Sequence, residues 1–491
     1  MRGVTSGVGS VRAHRRQFVL GPEAVRPCDQ WEVIDLPRGF RLAHCPTLPV
    51  ERVGDWTLLG IAVQTDPARP EPAVELATSQ PSTASWAGRW ILVGPDRIVL
   101  DAAGTLGCFY RTVDGGLFVS SSPELLRRLE PELPRPREEL RYESGFDWYP
   151  PPESGIDGVH RLLPSQALRL DGGVEARPLG MPRADLEYGE ALDLLGSRLR
   201  AEIEALADLH ANIALPLSGG RDSRLILATA TASRVPVSPF TFELAGMARG
   251  DRELPPRLAE ATGRPHRMIR RAPLRRERLD VFEEHTAGHV VDVARDSYAS
   301  GQWEHVHASL ELAGGALSVG KAPYRKLPAK RPESADEMAS ALRGALPSPN
   351  DAAVEAWTRW MQRAWSPAVD WRDAFFIDQR LGGWMSSINQ GLDLNGTTRV
   401  HVGNSADLFM ITLGLREAVR ERFLHEEHLI ARLAPALAAY PFNPESSVRR
   451  RLHERLARER EMYDRYGARE YLSARARNLK LRRSLRRIAE E

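Results

Sequence analysis

With 491 residues, the chain has the length for two domains, each with a sizeable core. Its 67 basic and 65 acidic residues leave a net charge of +2, which argues against a whole-molecule nucleic-acid binder. Three cysteines, Cys28, Cys45 and Cys108, are too few and too scattered for a disulfide framework or a zinc site, so a reducing cytoplasm is expected.

Residues 1–27 carry Gly, Ser and Arg without periodicity and predict a mobile leader. They lack the apolar core of a signal peptide, and no long apolar run predicts a membrane span. Short strands are predicted at Trp31–Ile34, Trp56–Leu59, Trp90–Val93, Arg97–Leu100 and Gly116–Ser120, and a surface loop over 65–85. Ser122 with Pro123 marks a helix start, Ser122 serving as N-cap. Short strands with turn punctuation predict packed antiparallel sheets over residues 1–185.

From residue 186 to 491 the pattern changes. Leu192, Leu195, Leu199, Ile203 and Leu206 form one stripe of a helix spanning Leu186 to about His210. Strands are predicted at Asn212–Leu215, Val235–Phe242 and Pro265–Ile269, with helices between them, the second over Asp251–Thr262. That alternation predicts a doubly wound parallel α/β sheet, whose ligands sit beyond the carboxyl ends of the strands. Residues 326–352 read as an exposed excursion, and the remainder as mostly helical.

Between the first of these strands and its helix lies Leu217-Ser218-Gly219-Gly220-Arg221-Asp222-Ser223. A strand that ends in a Gly-rich turn and enters a helix is suited to phosphate. The backbone can approach closely, and free helix N–H groups point at the anion. Ser218 and Ser223 add hydroxyl donors. Asp222, itself an anion, fits a metal ion or an N-cap better than a direct phosphate contact.

This Ser-Gly-Gly-x-Asp-Ser stretch resembles the pyrophosphate loop of the ATP pyrophosphatases, the group of asparagine synthetase, β-lactam synthetase and lasso-peptide cyclases. The resemblance implies ATP and Mg²⁺ as cofactors, with Leu217, Ser218, Gly219, Gly220 and Ser223 at the pyrophosphate and Asp222 at the metal. It places Phe242, Gly246 and Asp251 near the adenine end, Asp251 being either a ligand contact or a helix cap. The family's second, acidic loop corresponds to Leu312–Lys321, where Gly314 and Gly315 remain and the acids do not. Lys321 there is either a phosphate-facing charge or a solvated loop lysine. Arg380 and Arg399 match family segments near the substrate, or else form structural ion pairs. The basic Arg449–Arg487 tail reads first as a solvated helical face; Lys480, its lone lysine, is the candidate for a transition-state lysine.

Asp101-x-x-Gly104 followed by Phe109-Tyr110, and Gly158–Pro164, resemble the amidotransferase domain that precedes asparagine synthetases. That domain uses an N-terminal cysteine as nucleophile, whereas Met1 here is followed by Arg2, and Cys28 would need a cut after Pro27. Cys108 reads as a core residue. No glutaminase activity is therefore expected.

The resemblance implies a ligase that adenylates a small-molecule or peptide carboxylate, releases pyrophosphate and couples the acyl group to an amine or ammonia in specialised-metabolite or peptide synthesis. A carrier or leader peptide and a homodimer are compatible partners; nucleic acid and membrane are not expected. The rival readings are a non-catalytic nucleotide-binding scaffold and a sulfur transferase, the latter lacking a downstream cysteine pair.

Overall fold

Packed antiparallel sheets do build the N-terminal half. The computed structural model describes residues 13–77, 81–130, 133, 148–243, 247–270, 272–286, 292–343, 351–362 and 368–442. With strands numbered along the chain, the first sheet runs β10 (His160–Arg161), β8 (Phe109–Val113), β9 (Gly116–Ser120), β1 (Phe18–Gly21), β3 (Arg41–His44), β2 (Glu32–Asp35). The second runs β12 (Val174–Ala176), β11 (Gln166–Arg169), β7 (Arg97–Leu100), β6 (Trp86–Val93), β5 (Trp56–Gln64), β4 (Val50–Val53). Leu20, Leu42 and Val119 from one sheet meet Leu59, Ile91, Ile98 and Leu168 from the other, so two inner faces close one core.

The leader expectation fails in part. Residues 18–21 form β1, hydrogen-bonded between β9 and β3 inside the first sheet. Phe18, Val19 and Leu20 are fully buried, and this apolar run is too short to stand out against its Arg- and Gly-rich flanks. Residues 65–85 also hold a short helix, Pro72–Leu76, between stretches of loop. The Pro123–Arg127 helix begins at Ser122 as expected, but the Ser122 hydroxyl makes no capping bond.

The C-terminal half carries a parallel sheet of five strands, in the order β15 (Arg267–Arg270), β14 (Ser238–Glu243), β13 (Ile213–Pro216), β16 (Leu310–Ala313), β17 (Thr398–His401). The chain starts at β13, winds outward to β15, then returns to the other side for β16 and β17. The strand order therefore reverses between β13 and β16. The Tyr188–Leu209 helix buries the predicted Leu192–Leu206 stripe. Arg249–Glu260 supplies the β14–β15 crossover, shifted from the predicted start because Ala248 takes the extended cap position. The 326–352 expectation is corrected in its first part: Ala335–Arg343 is a helix that buries Met338 and Leu342 in an apolar cluster. Residues 344–350 lie outside the described set. Helices follow, among them a π-helical stretch, Phe376–Met385.

A buried polar seam joins the two halves. Arg89 donates to both oxygens of Asp393 at 2.6 and 2.8 Å, and Arg16 lies 3.6 Å from the same carboxylate. Asn404 Nδ2 donates to Asp101 Oδ1 at 2.8 Å and to the Gly88 carbonyl at 2.7 Å. Arg161 donates to the Gly382 carbonyl at 2.8 Å, and the Ser165 hydroxyl donates to Asp378 at 2.6 Å. These hydrogen bonds and ion pairs offset much of the cost of taking the groups out of water, although Arg16 Nε and Asn404 Oδ1 have no hydrogen-bond partner among the described residues.

Candidate functional site

Pro216 ends β13, and the chain turns through Leu217–Gly220 into the Arg221–Ala232 helix. The turn sits where the strand order reverses, the place at which open α/β sheets bind ligands. Leu217 does not face that place: its side chain is core, and its N–H donates to the Phe240 carbonyl at 2.7 Å. The next residues shape one another. Ser218 N–H donates to Ser223 Oγ and Gly220 N–H to Ser218 Oγ, both at 3.1 Å. Gly219 N–H donates to Asp251 Oδ1 at 2.8 Å. Asp251 thus braces the loop from the first turn of the neighbouring helix; it is not that helix's cap. Two hydroxyls and one carboxylate occupy the amides that an incoming anion would claim.

Asp222 lies in the first turn of the Arg221–Ala232 helix, whose cap is Gly220. Its carboxylate forms an ion pair with Lys321, so Lys321 is not a solvated loop lysine. Gly314 makes this possible: a Cβ there would sit 2.6 Å from Asp222 Cβ, so only glycine lets the end of β16 come this close to the loop. Behind the pair stands Glu426, 1% exposed, with Oε1 4.0 Å from Lys321 Nζ. Burial, and then the neighbouring Asp222 charge, push the Glu426 carboxyl well above its usual range. Arg221 pairs with Glu427 at 2.6 Å and stacks near Phe423 and Phe442. Fully buried Arg224 donates to the carbonyls of Gly219, Leu437, Tyr440 and Pro441, fastening residues 437–441 to the back of the loop.

Beside the loop opens a cavity of about 260 Å³ lined by Pro216, Glu311, Gly314, Trp384, Arg399 and His401, among others. Pro216, Ala313 and His401 end β13, β16 and β17, so the cavity lies along the carboxyl edge of the sheet. Arg399 grips Glu311, with Nε–Oε2 at 3.0 Å and a second contact at 2.6 Å. Burial raises the Glu311 carboxyl, and the Arg399 charge opposes the rise. His401 Nδ1 accepts from Gly315 N–H at 3.1 Å, which leaves Nε2–H to face Asn389 Oδ1 at 3.0 Å. Burial, with the charges of Arg399 and Arg89, holds His401 far below the usual imidazole range. Both ring nitrogens are committed, so His401 positions Gly315 rather than serving as a free base.

The structure thus brings Ser218, Gly219, Gly220, Asp222, Ser223, Asp251, Gly314, Gly315 and Lys321 together around one loop. Phe242 instead packs edge-on against Phe240 and Trp303, each ring centre 5.0 Å away, and does not line the cavity. Gly246 and Lys480 lie outside the described residues. Arg399 reaches the cavity and also forms a salt bridge, while Arg380 stacks 3.6 Å over Trp384. Cys108 is buried, its thiol pushed up to about 12 by burial, as a core residue should be.

A divalent metal does not fit this arrangement well. Hard cations want several oxygen ligands, yet Asp222 already faces an ammonium, and no group of three or more His, Cys, Asp or Glu with metal-binding geometry occurs among the described residues. Trp384 and Met385, in the same segment as Arg380, line the cavity. Glu426 carries no motif, and only its approach in space marks it. No family model matches the chain, and no curated protein matches it either.

Proposed function

We propose that this chain is an ATP-dependent carbon–nitrogen ligase of the asparagine-synthetase-like kind, with an amidotransferase-like front half that has no glutaminase role. The observation that carries the reading is the Ser218–Ser223 turn at the strand-order reversal, opening beside a 260 Å³ cavity. In this reading the triphosphate lies on the loop, and a carboxylate substrate enters the cavity. A carboxylate oxygen attacks the α-phosphorus and pyrophosphate leaves. An amine then attacks the acyl carbon, AMP leaves, and the nitrogen gives up a proton. The residues contribute position and fixed charge. Ser218 and Ser223 donate to the departing pyrophosphate, Lys321 offsets its charge, and Asp251 and Arg224 hold the loop's shape. ATP–pyrophosphate exchange across pools of carboxylates tests the proposal, with Ser218→Ala as the control that should lose it.

The second reading, a nucleotide-binding scaffold without chemistry, is favoured by the Lys321–Asp222 pair, which engages the loop's acid. ATP binding without exchange would select it.

A further inference from the structure

The elements that seat Lys321 against Asp222 and Glu426 do so against local preference. The Gly315–Lys321 turn ends at Ala322 with φ of 47°. The helix that carries Glu426 starts at Phe423 with φ of 59°. Neither residue is glycine, and the left-handed region costs such side chains on the order of 1 kcal/mol each or more. Gly314 has no room for a Cβ beside Asp222, which fixes the distance between loop and strand. Together these features hold one ammonium between one partly buried and one fully buried carboxyl group.

Glu426 is the unusual member. It is 1% exposed, and the polar groups that act on it are the Asp222 carboxylate and the Lys321 ammonium. Around it, Leu195, Leu199, Leu225, Phe409 and Leu429 line a small cavity of about 30 Å³. Two carboxyl groups side by side, one of them buried, are costly to charge unless a cation stands near them. Lys321 Nζ at 4.0 Å is the sole cation recorded in an ion pair with Glu426 among the described residues. An ordinary surface ion pair would need neither this second acid nor the two strained residues.

We propose that the Lys321 ammonium is the permanent counter-cation of the Ser218–Ser223 loop, occupying a site framed by Asp222 and Glu426, so that the loop takes a polyphosphate without a divalent metal. The polyphosphate part rests on the function proposed above; the occupancy of the cation site by lysine does not. An ammonium is a compact point charge that needs no fixed coordination geometry, which suits it to replace a hydrated metal ion beside phosphate oxygens. A departure from metal dependence also explains why the second loop, Gly314 to Lys321, carries glycines and a lysine in place of acids.

Two measurements on the full chain test this. The first titrates Mn²⁺, followed by its electron spin resonance signal, into nucleotide-free wild type, Lys321→Met and Lys321→Met/Asp222→Asn. Wild type should hold no stoichiometric Mn²⁺ at this site. Lys321→Met should bind Mn²⁺ about tenfold more tightly, and the double variant should lose that gain. Circular dichroism checks folding, and Lys321→Gln, which retains a hydrogen bond to Asp222, replaces Met if that variant does not fold. Stoichiometric Mn²⁺ in wild type that disappears in Asp222→Asn, or no gain in either folded Lys321 variant, overturns the proposal. The second measures ATP affinity by calorimetry in EDTA and in Mg²⁺. Equal affinity, within about threefold, is expected for wild type, with Lys321→Met binding only when Mg²⁺ is present. A loss of about tenfold or more in EDTA overturns metal independence. No ATP binding by wild type in either buffer defeats the phosphate-loop reading itself, and the Mn²⁺ result still decides who occupies the cation site.

Discussion

Asp393 offers the sharpest test of how the two halves are joined. Its side chain is 3% exposed, and Arg89, 2% exposed, donates to both of its oxygens at 2.6 and 2.8 Å. Arg16 lies 3.6 Å away but also donates to the Gly396 carbonyl and Thr398 Oγ1, both at 2.8 Å, so it keeps partners if Asp393 changes. Asp393→Asn keeps the volume but removes the counter-charge and turns one of the two oxygens facing Arg89 into an amide donor, so the buried guanidinium keeps only neutral acceptors, the remaining amide oxygen and the Thr105 carbonyl at 3.1 Å. Breaking one side of a buried pair costs about 3–5 kcal/mol. Urea unfolding followed by tryptophan fluorescence should show that loss in the transition that parts the two halves. The double change Arg89→Met/Asp393→Leu removes both charges and should lose less than Asp393→Asn alone, since apolar replacement of a buried pair is often neutral. A loss under about 1 kcal/mol for Asp393→Asn would mean that the carboxylate is not holding a desolvated guanidinium.

Glu202, fully buried with one oxygen accepting from Gly403 N–H at 2.8 Å, is pushed up to about 8 by burial. A raised acid binds its proton more tightly when folded, so this group favours folding below its unfolded value near 4.5 and loses that contribution as pH rises to about 8. Glu202→Gln should flatten a decline on the order of 4 kcal/mol between pH 4.5 and 8 in denaturation midpoints; an unchanged slope would contradict it. Gly314→Ala should abolish ATP binding by pushing the loop from β16, as read by calorimetry on a folded variant, and retained affinity would show that this approach is unnecessary. Arg224→Lys cannot reach the four carbonyls that the guanidinium fork reaches, so residues 437–441 should become cleavable by limited proteolysis. Protection equal to wild type would show that Arg224 is not what fastens that segment.

How much of this could be read from sequence depended on distance along the chain. The Ser218–Ser223 turn is contiguous, bounded by an apolar strand and helix, and its place at the sheet edge follows from strand–helix alternation. That Lys321 belongs near the first loop could be suggested only because Gly314 and Gly315 mark a second loop; its ion pair with Asp222 needed the structure. Glu426 could not be found that way. It sits on a helix some two hundred positions beyond the loop, in a sequence, Leu424–Leu433, that reads as an ordinary amphipathic segment. Its role comes from burial, which has no local signature. Asp251 carried a true signal, an acid at a helix start, yet its hydrogen bond goes to Gly219 rather than to its own helix. β1 was missed for the opposite reason. Four apolar-rich residues suffice inside a sheet whose other strands supply the pattern, while alone they look like leader. The Arg399–Glu311 pair needed the parallel register of β16 and β17, in which those residues are direct neighbours.

If the proposed function holds, the Ser218–Ser223 loop binds ATP while a carboxylate is adenylated beside it. The most direct measurement is exchange of labelled pyrophosphate into ATP by the intact protein, screened over pools of carboxylates. Exchange should require one carboxylate class and be lost in Ser218→Ala with the fold intact. Exchange that survives Ser218→Ala, or none with any carboxylate, would contradict that function.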